Sequence, residues 1–309
     1  MKNETFIAYF VIKGFSVGSS INIIIFVILL LTFFFTIFAN FCIIVIICTD
    51  YNLQSPMYLF LVSLSFLEIC AISVILPKFM TTLITKKTRI SNAGCFTQSF
   101  FYFFLTTSDF FLLSVMSFDR YVAICYPLRY STIMRKSTCI HLVAGCYILS
   151  FLCLLYPTIM MSNLPFCGYM LDHFYCESTA MLKLICVDTS LIKLSAIIIS
   201  VFVLIGPLTI TVISYICIVY TVIKIPSDRG RQKTFSTCLS HLTMVSIVFG
   251  SAIFIEIRPS REYSLETDKV VNLVSTVLGP LLNPFIYTLR NKNVKDSIKK
   301  RKWNNNWKF

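Results

Sequence analysis

Charge is scarce in this chain: only 13% of its 309 residues are Asp, Glu, Lys or Arg, where soluble domains carry about 25%. With 57% hydrophobic residues and a mean hydropathy of +0.80, this excludes a water-soluble enzyme, a disordered scaffold and a disulfide-rich secreted module. Histidine is scarcer still. His141, His173 and His241 fall on different sides or span edges, so no enzyme constellation or zinc ligand box forms. The few glycines include no Gly-rich phosphate loop. No cysteine follows the last apolar run, which excludes palmitoyl anchoring there. No internal repeat relates the apolar runs, which counts against transporters built from duplicated halves.

What the chain does have is long, nearly uncharged apolar runs. Seven approach the roughly 20 residues that cross a bilayer: about Ile23 to Ile47, Met57 to Leu76, Phe96 to Phe118, Cys139 to Ser162, Leu194 to Ile223, Cys238 to Ile257 and Val270 to Leu289. The expected fold is an all-α membrane protein, a seven-transmembrane helix bundle with its N terminus outside. Residues 1–22 form an extracellular arm, 23–289 the bundle with a long second outer loop at 163–193, and 290–309 a basic tail with a short amphipathic helix. Phe6 to Ile12 imitates a signal-peptide core, but lacks a charged segment before it and a small-residue cleavage site after it, so it reads as a retained arm.

Orientation follows the basic residues. Arg120, Arg129, Arg135 and Lys136, then Lys224, Arg229, Arg231 and Lys233, then the tail place 16 of the 27 Lys and Arg on one side, which is therefore cytoplasmic. The net charge of +13 reads as topology and contact with anionic membrane lipids, and no nucleic acid partner is expected. Asn3-Glu4-Thr5 is the only N-glycosylation triplet, and it lies on the side assigned outside. The thirteen cysteines cannot all pair within one chain. Only Cys95, Cys167, Cys176 and Cys186 face an oxidising compartment, and these four allow three pairings.

Four motifs occur together: Asp119-Arg120-Tyr121 followed by Val122-Ala123-Ile124-Cys125-Tyr126-Pro127, Pro56-Met57-Tyr58, Lys233-Thr234-Phe235-Ser236-Thr237-Cys238-Leu239-Ser240-His241, and Pro280-Leu281-Leu282-Asn283-Pro284-Phe285-Ile286-Tyr287. With them the chain resembles an olfactory receptor, a class A rhodopsin-like G-protein-coupled receptor, from the glycosylation triplet to Asn291. The Leu64-Ser65-Phe66-Leu67-Glu68-Ile69-Cys70 run is similar to olfactory family six. The resemblance implies a plasma-membrane odorant receptor, not an enzyme, acting through a stimulatory olfactory-type heterotrimeric G protein that raises cyclic AMP. It also implies disulfides Cys95–Cys176 and Cys167–Cys186, which would make the second outer loop a lid. The alternatives are a membrane transporter or channel, disfavoured because the spans carry no continuous polar stripe, and a receptor that no longer signals.

At a rise of 1.5 Å per residue, Asn40, Glu68, Asp109 and Asn283 lie roughly 10 to 17 Å from the inner ends of their spans and can share one layer. Two carboxylates in one layer bind a cation or share a proton. The resemblance favours a sodium or water site, with no other cofactor and no other metal; the alternative is a protonated Glu68 bonded to Asn283. Asp119 and Arg120 can form a local ion pair closing the cytoplasmic face. Tyr121, Tyr215, Asn283, Pro284 and Tyr287 complete the expected activation switch, the hydroxyls of Tyr215 and Tyr287 swinging toward Arg120 by resemblance. For a small volatile odorant, helical spacing and depth select Tyr102, Phe103, Thr106 and Phe110 in span three, Ile199 and Val203 in span five, and Phe249, Ile253 and Glu256 in span six. Glu256 and Phe249 stand where the family commonly has tyrosine, and Ala39 where glycine usually precedes Asn40. Glu256 suits an amine ligand or pairing with Arg258 or Arg261.

Overall fold

The computed structural model describes residues 8–15, 17–53, 55–85, 88–257, 265–290, 294 and 297. In chain order its elements are β1 (Tyr9–Ile12), α1 (Ser19–Thr49), α2 (Pro56–Thr85), β2 (Arg89–Ser91), α3 (Asn92–Cys125), α4 (Tyr130–Ile133), α5 (Lys136–Ser162), β3 (Met170–Leu171), α6 (Ser178–Leu182), α7 (Ser190–Ile223), α8 (Asp228–Ile257) and α9 (Leu265–Arg290). Seven of these are long helices, one for each expected span. Six are long and apolar enough to cross a membrane. In α8 the apolar stretch is the shorter His241–Ile255, because its inner half carries polar residues such as Arg231, Gln232 and Thr234.

Lipid, not water, decides which faces are buried. α1 is apolar all round and buries only Leu29, Thr36, Asn40, Ile43 and Ile47, a single stripe at helical spacing, while Leu31, Phe34 and Phe38 stay exposed. Hydrocarbon outside the bundle is as apolar as leucine, so such exposure costs nothing, and helix association depends on close packing and interhelical polar contacts. α3 is the pillar, buried from Cys95 to Val122 and packed against α2, α5, α7 and α8. Its start is fixed by Ser91, whose hydroxyl accepts from the Gly94 N–H at 3.1 Å. A side chain at Gly94 would put a Cβ 2.8 Å from that same oxygen.

The helices outrun the apolar runs. The second apolar run ends at Leu76, just before Pro77 and Lys78, yet α2 continues to Thr85. Pro77 is absorbed in the helix, where the Thr81 hydroxyl donates to its carbonyl at 2.7 Å, and the Lys78 ammonium reaches the Arg89 carbonyl at 2.6 Å. Beyond α9 the tail lies outside the described residues except Val294 and Ser297, which are helical and buried; Ser297 donates to Asp50 at the inner end of α1. Asn3, Arg258 and Arg261 also lie outside the described residues.

One element is absent from the sequence reading: a three-stranded sheet on the outer face, ordered β2-β1-β3. β1 is antiparallel to β2, with Phe10 opposite Ile90, and parallel to β3, with Val11 opposite Met170. Phe10 and Ile12 alternate inward and are fully buried. The arm that imitates a signal core is thus the central strand of an outer cap. Its three short strands come from distant parts of the chain, so no local turn signal announces them.

Candidate functional site

The outer cap is covalently held. Cys95 at the start of α3 is bonded to Cys176, and Cys167 to Cys186, with Cα separations of 5.4 and 5.2 Å. Immediately after Cys176, Glu177 caps the short helix α6, accepting from the N–H groups of Thr179 at 2.9 Å and Ala180 at 2.7 Å. Gln98 binds both neighbours of α3: its amide donates to the Val74 carbonyl at 3.1 Å and accepts from the Cys176 N–H at 3.2 Å.

Beneath this lid is a cavity of about 370 Å³ between α3, α5, α6 and α7, within the range of small-molecule sites. Phe96, Phe100, Phe103, Leu182 and Ile199 supply much of its wall, with Ser99, Thr158 and Ser200 as scattered hydroxyls. Of the nine residues selected by depth and face, Phe103 and Ile199 line it. Phe110, Val203 and Phe249 are buried together in the central core, with Ile199 and Ile253 packed against them. The rings of Phe110 and Phe249 meet at 5.0 Å, about 10 Å below Phe103 along α3. Tyr102 turns toward α9, where its hydroxyl bonds Thr276 at 2.9 Å, and the Thr106 hydroxyl donates to the Tyr102 carbonyl. The side chain of Glu256 lies outside the described residues. The wall from α5 and α6 escaped the sequence reading. On α3, Phe96, Ser99 and Phe100 share helical spacing with Phe103, a signal for that helix's part of the wall only.

A hub that the sequence reading missed closes the outer face. Lys269, fully buried in the first turns of α9, donates to the Gly14 carbonyl at 2.8 Å, Asp172 at 2.7 Å and Glu266 at 2.9 Å. It ties the N-terminal arm and the lid to α9, and Lys13 adds a looser contact to Asp172 at 3.8 Å. The bond from Lys269 holds the Asp172 carboxyl below its usual range. Next to it, His173 is buried between Phe174 and Tyr175, each ring 4.6 Å away, and neither ring nitrogen has a hydrogen-bond partner among the described residues. Burial lowers its pKa to about 3, so it is neutral at physiological pH.

Midway down, three of the four expected polar residues, Asn40, Glu68 and Asn283, form cross-helix hydrogen bonds. The Asn40 amide donates to the Thr36 carbonyl at 3.0 Å and to the Pro280 carbonyl at 3.2 Å, and Asn283 donates to Glu68. One side-chain oxygen each of Asn40, Asp109 and Asn283 is buried without a hydrogen-bond partner among the described residues. Such oxygens, with the Glu68 carboxylate, fit a hard cation. No cluster of three His, Cys, Asp or Glu suited to a metal ion occurs among the described residues.

At the inner face Asp119 accepts from the Tyr130 hydroxyl at 2.8 Å. None of the ion pairs among the described residues joins it to Arg120, whose guanidinium instead touches the Met57 sulfur. The expected local pair is absent because adjacent residues on a helix point about 100° apart. Tyr121 points to Tyr126, hydroxyl to hydroxyl at 3.4 Å. The Tyr215 hydroxyl bonds His241 Nδ1 at 2.9 Å, joining α7 to α8. Asn283 and Pro284 are buried in α9, and the side chain of Tyr287 lies outside the described residues.

These seven helices superpose on squid rhodopsin with a TM-score of 0.75 at 16% identity, covering 93% of this chain and 82% of that one. The fold is therefore that of the heptahelical G-protein-coupled receptors. The family model "Olfactory receptor" matches residues 27–304. Olfactory receptor 6E1 of Mus musculus is 46% identical over 96% of this chain and 95% of its own, and olfactory receptor 6X1 of Homo sapiens is 42% identical over 97% and 96%. The chain belongs to the olfactory receptor family, among relatives of family six. It is a multi-pass plasma-membrane odorant receptor with a heterotrimeric G protein as its partner, and not an enzyme.

Proposed function

We propose that the chain binds a small hydrophobic volatile ligand in the outer half of the bundle and activates a stimulatory, olfactory-type G protein that raises cyclic AMP. The observation that carries this reading is the apolar 370 Å³ cavity under the disulfide-held lid, with Phe103 and Ile199 on its wall. Ile199 also packs on the Phe110–Phe249 core, so occupancy of the cavity can be felt deeper in the bundle. At the far end, Leu128 stands 96% exposed on the inner face, beside the turn that carries Tyr130, as an apolar contact for the G protein.

A sodium ion held among Asn40, Glu68, Asp109 and Asn283 would supply positive charge to a layer of buried acceptor oxygens and favour the inactive bundle. Glu256 is the acidic candidate for amine recognition; in that role, Glu256→Gln lowers the response to amines and spares ketones and esters. Cyclic AMP is measured in cells expressing the surface-tagged chain with an olfactory G protein, across amines, acids, esters and ketones. Ser200→Phe, which fills the cavity, is expected to abolish the response while the protein still reaches the surface. A response unchanged by that filling contradicts this location for the ligand.

A further inference from the structure

A second cavity, of about 460 Å³, lies at the opposite end of the molecule between the inner ends of α1, α2 and α5 and the turn α4. Its floor is apolar and buried, with Ile47, Leu53 and Met134, and Leu59 and Val62 line it further. Its rim is cationic: Arg135 and Lys136 both line it and both are exposed. Neither forms an ion pair with a described carboxylate. The acids nearby are otherwise engaged, since Asp119 accepts from Tyr130 and Asp50 accepts from Ser297. The rim also contains the start of α5, whose first N–H groups have no side-chain cap and add partial positive charge.

We propose that this cavity is a site for an anionic phospholipid of the inner leaflet, with the headgroup between Arg135 and Lys136 and one acyl chain in the trough of Leu59 and Val62. Charge complementarity selects this occupant. A sterol offers a single hydroxyl and leaves both cations without a counter-charge, whereas a phospholipid of net negative charge satisfies both the rim and the floor. The rim lies at the cytoplasmic ends of the helices, where anionic headgroups are found. Tyr130 belongs to the same wall and donates to Asp119, so the lipid rests against the hydrogen-bond partner of Asp119. The site is independent of the odorant cavity, and its test does not depend on knowing the odorant.

The full-length receptor is placed in phosphatidylcholine nanodiscs, and retained phosphatidylserine is measured by native mass spectrometry as its fraction is raised. The double variant Arg135→Gln/Lys136→Gln is expected to bind phosphatidylserine about thirtyfold more weakly. Leu59→Trp, which fills the trough and keeps both charges, is expected to weaken it as well. Arg129→Gln removes a cation of the same loop that does not line the cavity, and leaves binding unchanged. The exchange Arg135→Lys/Lys136→Arg retains it. Melting temperature in pure phosphatidylcholine checks that each variant is folded. Equal binding by the wild type and the double variant overturns the proposal. So does a loss no larger than that of Arg129→Gln, or displacement of the bound phospholipid by cholesterol.

Discussion

The outer and inner halves of this receptor are held by different kinds of bond. Outside, two disulfides, a three-stranded sheet and the Lys269 hub bind the arm, the lid and α9 into one cap. Inside, the described contacts of the expected switch are Arg120 to Met57, Asp119 to Tyr130 and Tyr215 to His241, with no disulfide or ion pair among the described residues there. Cross-links and buried charge fix one arrangement, whereas isolated hydrogen bonds between helices are each worth about 1 kcal/mol and can be exchanged. The difference separates a ligand-holding end that keeps its shape from a signalling end that can change it.

Breaking the cap has the largest expected effect. The Cys95–Cys176 bond closes a loop of 81 residues and Cys167–Cys186 one of 19, for which chain entropy gives roughly 4 to 5 and about 3 kcal/mol. Cys176→Ser is therefore expected to abolish surface delivery, and Cys186→Ser to reduce it less, as read by flow cytometry of a surface tag. Lys269→Met leaves the Gly14 carbonyl without its donor and removes bonds to the part-exposed Asp172 and Glu266, and is expected to cost about 1 to 2 kcal/mol in thermal unfolding.

Acid sharpens the same contrast. His173 titrates near 6.5 when unfolded but at about 3 in the cap, so the folded form resists protonation. The stability it confers is complete above pH 6.5 and is lost as pH falls toward 3. Between pH 7 and pH 5 the cap is expected to lose about 2 kcal/mol, with His173→Phe flattening that dependence. Asp172, held below the usual carboxylate range, has the same sign at lower pH: its contribution is present above about pH 4 and is lost as pH falls through its folded value. The smallest effect expected is at Phe249→Tyr, which restores the hydroxyl common in the family. Phe249 is 2% exposed against Phe110, so the added group enters packed apolar surroundings at a cost of about 1 kcal/mol in the same melting assay.

The bundle was legible because a bilayer forces long apolar runs, and the motifs at Asp119-Arg120-Tyr121 and Asn283-Pro284 carried the family. The cap was not. Residues 9–12, 89–91 and 170–171 are too short and too far apart for periodicity to relate them. Lys269 read as the polar flank of an apolar run, because nothing local reveals that its partners lie at Gly14 and Asp172. In the outer half of α3 the spacing named residues on one face at two depths. It could not say how deep the cavity reaches, so Phe103 and Ile199 stand on its wall while Phe110, two turns below Phe103, packs with Val203 and Phe249 in the core. Neighbouring positions in sequence suggested an Asp119–Arg120 pair that helix geometry sets apart.

The division of labour between the two halves is tested most directly at Arg120. Odorant-evoked cyclic AMP and thermal stability are measured together for the wild type and Arg120→Ala at matched surface levels. The account predicts that the response disappears while the melting temperature and surface level stay at their wild-type values, since Arg120 makes no described ion pair and the cap is untouched. A variant that still signals at full amplitude, or one that unfolds as readily as Cys176→Ser, would contradict it.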